Sequence, residues 1–106
     1  MKKILKKFYK NKSVLITGVT GFKGTWLCSW LLELGANVVG VGYNPNPNKN
    51  LFYKLNLNRK IKLNLFDIRN FSKLQKLVKK TKPSIIFHLA AQPLIYESYK
   101  KPLETF

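Results

Sequence analysis

Three glycines are spaced so that they could form an anion-binding turn: Gly18, Gly21 and Gly24, in the order Gly-x-x-Gly-x-x-Gly. The apolar run Val14–Ile16 precedes them, and a stretch typical of a helix, from about Thr25 to Leu34, follows. The first turn of a helix has unpaired backbone N–H groups and is partly positive, so a pyrophosphate can bind there when no side chain blocks its approach. The pattern therefore predicts a nucleotide-binding turn, although a tight packing turn would use the same glycines.

The order of the elements predicts an α/β fold of the Rossmann type. Short apolar or alternating runs predict strands at 13–17, 38–43, 61–66 and 84–91. Beyond the first helix, which Gly35 would end, we expect a helical turn at 51–57 and a helix at 71–80, closed by Lys82-Pro83. Strand–helix–strand units have parallel strands and right-handed crossovers. We therefore expect a partial Rossmann fold, a parallel sheet flanked by helices with strand order 3-2-1-4 and the fourth strand at an edge.

Several small or aromatic residues inside these elements could have functional roles. Trp26 and Trp30 lie four residues apart on one helix face, and they could stack on bases or, as we favour, pack in the core. Gly40 and Gly42 thin the second strand, which suggests that a ligand or a neighbouring backbone comes close. Cys28 has no nearby metal-ligating partners, so we expect a small buried side chain and no metal site.

Polar residues follow the predicted strands, at the sheet edge where ligands of such folds bind. Tyr43 and Asn44 stand where an acid often holds the adenosine ribose, and the Asn44 amide could also bond a hydroxyl. Asp67 is either an N-cap, in competition with Ser72, or an acceptor for the adenine amino group. His88 could be a general base, but we favour a hydrogen-bonded core residue.

The chain is strongly basic, with a formal net charge of +16 over 106 residues. A nucleic acid or an anionic membrane is one possible partner. Because Arg59 and Arg69 are the only arginines and the lysines are spread along the chain, we favour a solvated lysine surface without a nucleic-acid partner. The sequence has no run of about 18 apolar residues, so we expect no membrane span. The lead-in 1–12 lacks the apolar core of a secretory signal and could pack on the domain edge or be mobile.

Several segments together resemble the extended short-chain dehydrogenase/reductase family, the NAD-dependent epimerases and dehydratases of nucleotide sugars. The likeness starts from the glycine turn, from Asp67-Ile68 and from His88–Gln92. Within this family, the sequence is most similar to the dehydratases that act on CDP-glucose. The segments that carry this closer likeness are Phe8–Lys12, Gly21–Gly24, Trp26-Leu27, Trp30-Leu31, Leu34–Ala36, Asn50–Phe52, Asp67–Arg69, Gln92–Leu94, Ser98-Tyr99 and Pro102–Phe106.

The resemblance implies NAD as cofactor and assigns residues to its parts. Those implied to surround the pyrophosphate are Gly18, Thr20, Gly21, Phe22, Lys23 and Gly24. Those implied for the adenosine are Tyr43 and Asn44 near the ribose, with Asp67 and Ile68 at the adenine. Those implied along the nicotinamide half are Leu89, Ala90, Ala91 and Gln92. The sequence departs from the family at Val19, where close relatives often have histidine.

The family's reaction implies catalytic groups that we do not assign to this chain. Hydride passes from the sugar C4 to NAD, water is eliminated across C5 and C6, and the hydride returns to C6, with help from a tyrosine and a lysine. Tyr96 and Lys100 have the Tyr-x-x-x-Lys spacing but directly follow the fourth strand, before the family's catalytic helix. No catalytic residue is therefore predicted.

We interpret residues 1–106 as the N-terminal, NAD-binding part of a nucleotide-sugar 4,6-dehydratase. We expect this part to be inactive alone, and we expect the complete enzyme to be a cytoplasmic homodimer with CDP-glucose as substrate. One alternative is another sugar-nucleotide epimerase or dehydratase. Another is a basic nucleic-acid-binding module, which a salt-dependent DNA titration beside an NAD titration would distinguish.

Overall fold

The computed structural model describes residues 2–43 and 50–90. Some residues discussed above lie outside these ranges: Asn44, Ala91, Gln92, Tyr96 and Lys100. Within the described ranges, no helix combines the length and the apolarity that crossing a bilayer requires.

Helices and strands alternate along the described chain. In order they are α1 Lys2–Tyr9, β1 Ser13–Thr17, α2 Phe22–Glu33, β2 Asn37–Gly42, α3 Leu51–Lys54, a 3-10 turn Leu57–Arg59, β3 Lys62–Leu65, α4 Phe71–Thr81 and β4 Ile85–His88. The strands form one parallel sheet in the order β3-β2-β1-β4, which confirms the predicted topology. Among the described strands β4 is at an edge of the sheet, as predicted.

The strand register brings the carboxyl ends of the strands to one edge of the sheet. Thr17, the last residue of β1, is aligned with Val41 of β2 and with His88 of β4. Gly42 at the end of β2 is aligned with Leu65 at the end of β3. The connections that carry the predicted site residues therefore leave the sheet along the same edge.

The sheet has a core on each face because successive residues of a strand alternate in direction. Val14 and Ile16 of β1 belong to a buried cluster with residues of α2 and α3, whereas Leu15 belongs to a second cluster against α4. Cys28 is fully buried in the first cluster, as predicted, and burial raises the pKa of its thiol to about 11. The thiol is therefore protonated at neutral pH and acts as a small apolar group.

Helix α2 differs from the prediction in its start and in its exposed face. It begins at Phe22, ahead of the expected start at Thr25. Trp26 and Trp30 are each 54% exposed, so the prediction that they pack in the core is wrong. The helix instead presents the face of Thr25, Cys28 and Leu31 to the sheet, and α2 is apolar on so many sides that its sequence did not reveal the buried one.

Helix α1 packs against the domain, which agrees with one of the two alternatives for the lead-in. Tyr9 packs on the first core cluster, and the Asn11 N–H donates to the Gly35 carbonyl at 2.9 Å. Gly35 has φ +87° directly after α2, so it ends the helix as predicted. The lead-in is thus tied to the turn between α2 and β2.

The buried face of α3 can be tested by comparing two phenylalanines. Phe52 is fully buried in the first core cluster, whereas Phe22 is 75% exposed. We expect Phe52→Ala to lower the free energy of unfolding by about 3–5 kcal/mol, because it removes a packed ring and leaves a cavity. The matched change Phe22→Ala should stay within about 0.5 kcal/mol. Urea denaturation of both variants measures this, and equal losses would contradict the packing of α3.

Candidate nucleotide-binding site

The connection between β1 and α2 is a tight turn anchored to β2. Gly18 has φ +72°, a conformation that side chains strongly disfavour. The N–H groups of Gly18 and Val19 both donate to the Val41 carbonyl, at 2.8 and 3.1 Å. The Gly21 N–H donates to the Gly18 carbonyl at 3.0 Å and closes the turn. The backbone of the turn is therefore fixed by its own hydrogen bonds and by the neighbouring strand.

The side chains of the turn fill the space above the glycines of β2. A Cβ at Gly40 would lie 2.7 Å from Val19 Cγ1, and a Cβ at Gly42 would lie 2.7 Å from Thr20 Cγ2. Val19 is fully buried in the core and Thr20 is 9% exposed. A Cβ at Gly40 would also lie 2.8 Å from Ile61 Cδ1. The prediction of a ligand or a backbone near these glycines is thus wrong, because side chains occupy the space. Since those side chains pack towards the sheet, the turn presents backbone at its outer surface.

Close backbone packing sets the position of the α2 N-terminus. A Cβ at Gly24 would overlap the Gly18 carbonyl oxygen and would lie 2.8 Å from Val19 Cα. The Thr25 hydroxyl, fully within the interior, donates to the Val19 carbonyl at 3.3 Å. The first turn of α2 can lie against the end of β1 only because residue 24 has no side chain.

The N-terminus of α2 has the features of an anion-binding site. Its N-cap is Gly21, which has no side chain to accept hydrogen bonds from the first helical turn. By contrast, the N-caps of α3 and α4 are Asn50 and Asn70, whose side chains accept backbone N–H groups. Phe22 and Lys23 are exposed in this first turn. Backbone amides, the helix dipole and the Lys23 charge together favour an anion at this position.

The structure brings part of the predicted nicotinamide region against the glycine turn. A Cβ at Gly18 would lie 2.7 Å from the Ala90 nitrogen and 2.8 Å from the Leu89 carbonyl carbon. The Leu89 N–H also donates to the Thr17 carbonyl at 3.1 Å. Leu89 and Ala90 thus lie beside Gly18, on the backbone that follows β4.

The predicted adenosine residues follow the neighbouring strands. Tyr43 comes directly after β2 and is 69% exposed. Asp67 and Ile68 follow β3, and the Phe66 N–H ties this connection to the Gly42 carbonyl at 3.0 Å. These residues share the carboxyl edge of the sheet with the glycine turn, and their contacts with a nucleotide stay predictions.

Asp67 is not the N-cap of α4. That position is taken by Asn70, whose Oδ1 accepts the Lys73 N–H at 3.2 Å, so the capping interpretation of Asp67 and of Ser72 is wrong. The Asp67 carboxylate instead accepts the Arg69 guanidinium at 2.7 Å and the Arg69 backbone N–H at 2.9 Å. These bonds lower the pKa of Asp67, so the group is ionised at neutral pH. An ionised carboxylate can still accept a further hydrogen bond from an amino group.

A polar contact joins the ends of β1 and β4 beneath the turn. Thr17 Oγ1 lies 2.8 Å from His88 Nδ1, and the Ala90 N–H donates to the same hydroxyl at 3.3 Å. Burial lowers the pKa of His88, so the imidazole is neutral and Nδ1 can accept the Thr17 hydroxyl proton. His88 is thus a hydrogen-bonded, half-buried residue, in agreement with the interpretation that we favoured.

Two residues contribute to this region although the sequence did not indicate it. Thr17 joins β1 to β4, and Asn50 joins α3 to the glycine turn by donating to the Thr20 carbonyl at 3.1 Å. An asparagine directly before Leu51-Phe-Tyr is a typical N-cap signal, so the cap could have been predicted. The bond to Thr20 joins residues that lie 30 positions apart, which no local pattern reveals.

Comparisons with known proteins agree with this geometry. A family model described as GDP-mannose 4,6 dehydratase matches residues 15–106. CDP-glucose 4,6-dehydratase of Salmonella typhimurium is 45% identical over 101 residues, which cover 95% of this chain and 28% of the relative. GDP-mannose 4,6-dehydratase of Sordaria araneosa is 34% identical over 96 residues, which cover 91% of this chain and 18% of the relative.

A solved structure shows the same fold. UDP-glucose-4-epimerase of Stenotrophomonas maltophila, with bound NAD and formylated UDP-arabinopyranose, superimposes with a TM-score of 0.66 and 26% identity. The match covers 91% of this chain and 29% of the epimerase. The chain therefore spans less than a third of the length of the proteins it matches.

The parallel sheet in the order 3-2-1-4, with a glycine turn between its first strand and helix, defines a Rossmann-type protein of the epimerase and dehydratase class. The chain belongs to the family described as GDP-mannose 4,6 dehydratase. This result confirms the resemblance on which the sequence interpretation rested.

The backbone contact at Gly24 can be tested by paired substitutions. We expect Gly24→Ala to lower the free energy of unfolding by at least about 2 kcal/mol, because the new Cβ overlaps backbone that cannot move without breaking the turn. A Cβ at Gly21 would have only the Gly18 oxygen, at 3.3 Å, within 4 Å. Gly21→Ala should therefore change stability by less than about 1 kcal/mol. Chemical denaturation tests this, and a fully stable Gly24→Ala variant would contradict it.

The lowered pKa of His88 predicts a pH dependence of stability. The unfolded chain binds the His88 proton more strongly than the folded one. The contribution of the neutral imidazole to the free energy of unfolding is therefore complete above about pH 6.5 and decreases as the pH falls below it. His88 is the only histidine of the chain. The change His88→Asn should flatten the profile between about pH 5 and 6.5. The lowered pKa of Asp67 affects the free energy of unfolding only at more acidic pH, below the ordinary aspartate pKa of 3.8. Urea denaturation at several pH values measures both, and identical profiles for the two chains would exclude His88 as the cause.

Proposed function

We propose that this chain binds NAD through the turn between β1 and α2. The observation that carries the proposal is the N-cap of α2, Gly21, which has no side chain to bond the first-turn N–H groups, together with the exposure of Phe22 and Lys23 in that turn. The packing of Gly24 on Gly18 holds this helix end at the carboxyl edge of the sheet. A pyrophosphate placed there could accept backbone N–H groups at the positive end of the helix dipole.

Family membership supports a dinucleotide as the ligand. The epimerase of Stenotrophomonas maltophila, which shares this fold at 26% identity, contains bound NAD. The residues proposed to contact NAD are those assigned by the resemblance: Gly18, Thr20, Gly21, Phe22, Lys23, Gly24, Tyr43, Asn44, Asp67, Ile68, Leu89, Ala90, Ala91 and Gln92. Within the described ranges the residues of this set follow the carboxyl ends of all four strands, where an extended dinucleotide could span the sheet edge.

We further propose that the chain is the NAD-binding part of a nucleotide-sugar 4,6-dehydratase. The relative that is 45% identical is a CDP-glucose 4,6-dehydratase, which supports CDP-glucose as the substrate and CDP-4-keto-6-deoxyglucose as the product of the complete enzyme. NAD would supply the hydride acceptor of this reaction, while the residues of this chain bind and orient it. We assign no catalytic group to residues 1–106 and propose that they do not turn over substrate alone.

The remaining expectations concern assembly, location and partners. That the complete enzyme is a homodimer and that it is cytoplasmic stay predictions. The absence of a nucleic-acid partner likewise stays a prediction. A DNA titration at increasing salt tests it, because affinity that rests on phosphate contacts falls steeply with salt.

Binding of NAD by the 106-residue chain tests the proposal directly. Isothermal titration calorimetry should detect NAD binding by the unsubstituted chain. Gly21→Ala should weaken it by about tenfold or more, or about 1.4 kcal/mol, because the new Cβ, 3.3 Å from the Gly18 carbonyl oxygen, adds a side chain at the helix start where the phosphates are proposed to bind.

The stability of Gly21→Ala provides the control for this experiment. Its free energy of unfolding should stay near that of the unsubstituted chain, so that lost binding reports on the site and not on folding. Absence of NAD binding by the unsubstituted, folded chain would refute the proposed function. Equal affinity in Gly21→Ala would show that the phosphates bind elsewhere.

A further inference from the structure

Asn50 makes two side-chain hydrogen bonds that join separate parts of the fold. Its Oδ1 accepts the Phe52 N–H at 2.9 Å and caps α3. Its Nδ2 donates to the Thr20 carbonyl at 3.1 Å, inside the turn between β1 and α2. We propose that Asn50 is a positioning residue for the phosphate-binding turn, an inference that rests on the proposed function. Asn50 would act by fixing the peptide between Thr20 and Gly21.

The Thr20–Gly21 peptide leads into Gly21, the N-cap of α2. Its N–H donates to the Gly18 carbonyl at 3.0 Å, and its carbonyl accepts the Asn50 amide. Both polar ends of this peptide are therefore held. Gly21 tolerates backbone conformations that other residues do not, so the peptide could rotate if one of its bonds were lost. Rotation here changes the direction of the backbone that enters the helix, and with it the first-turn amides.

The donor is held in place by the hydrophobic core. The amide of Phe52 binds the Asn50 side chain, and the Phe52 ring is fully buried. The Asn50 backbone is in an extended conformation, with φ −95° and ψ 126°, and the Asn50 carbonyl also accepts the Lys54 N–H at 3.1 Å. The capping bond thus fixes the side-chain rotamer, and this rotamer directs the amide to the turn.

A second asparagine provides a matched comparison. Asn70 caps α4 in the same way, through an Oδ1 that accepts the Lys73 N–H at 3.2 Å. Asn70 is exposed, and its side chain accepts this hydrogen bond from the helix that it caps. A substitution that keeps the cap but removes the amide donor therefore separates the bond to Thr20 from the capping role.

The experiment compares Asn50→Ser with Asn70→Ser in the 106-residue chain. Serine caps helices about as well as asparagine, but its shorter side chain cannot reach the Thr20 carbonyl. Calorimetric titrations use NAD, ADP and adenosine as ligands. We expect the Kd of Asn50→Ser for NAD and ADP to rise about threefold to tenfold, because a smaller fraction of the chain holds the turn in its binding conformation. Adenosine, which has no phosphate, should bind with an unchanged Kd.

The controls separate a positioning role from a structural one. Asn70→Ser should leave the Kd for all three ligands unchanged. Asn50→Asp keeps a full-length capping oxygen and loses the donor, so this variant should remain folded and show the same selective loss for NAD and ADP. Urea denaturation of each variant establishes that the chain is folded.

Two results would overturn this inference. Unchanged Kd values for ADP in Asn50→Ser and Asn50→Asp would show that the bond to Thr20 does not position the turn. A parallel loss of ADP and adenosine affinity would show that Asn50 acts on the fold in general. Failure of the unsubstituted chain to bind either NAD or ADP would instead refute the proposed function, and the positioning role with it.

Discussion

The site depends on the direct contact between the start of α2 and the end of β1. Gly24 lies against the carbonyl of Gly18, and a single methyl group at residue 24 would overlap that oxygen. Gly18 in turn has φ +72°, the conformation with which the chain leaves β1 and enters the turn. It also lies against the backbone at Ala90. Because these approaches involve backbone on both sides, no side-chain movement could relieve a substitution. The glycines are therefore explained by packing first, and the open helix end is a consequence of that packing.

Strand order and core were predictable because they follow from rules that act along the whole chain. Apolar runs such as Val14–Ile16 are typical of strands buried on both faces, and the alternation of side chains then assigns Leu15 to the opposite core from its neighbours. Right-handed crossovers leave few ways to connect parallel strands. The order 3-2-1-4 then follows from the Rossmann fold that the glycine turn and the family resemblance indicate.

The incorrect predictions concern tertiary choices that local patterns do not encode. Helix α2 is apolar around most of its circumference, so hydrophobic periodicity did not show that Trp26 and Trp30 face outwards. The groups that approach Gly40 and Gly42 are side chains from about 20 residues away in sequence: Val19 and Thr20 of the turn, and Ile61. Asp67 has the residue type of an N-cap, but in the structure Asn70 is the N-cap of α4 and Arg69 binds the Asp67 carboxylate. In each case the deciding partner is fixed only when the chain is folded.

The inward direction of the turn's side chains also explains why a departure at Val19 is compatible with the site. Val19 is fully buried and packs where Gly40 leaves space, so this position contributes to the core beneath the turn. Thr20 packs in the same way above Gly42, and its carbonyl, not its hydroxyl, is the group that Asn50 binds. What the turn offers to an anion is therefore backbone, whose chemistry is the same for every residue type. A sequence can change at 19 as long as the new side chain fits the space over β2, whereas the glycines and the donor that orients the Thr20 peptide cannot be exchanged so freely.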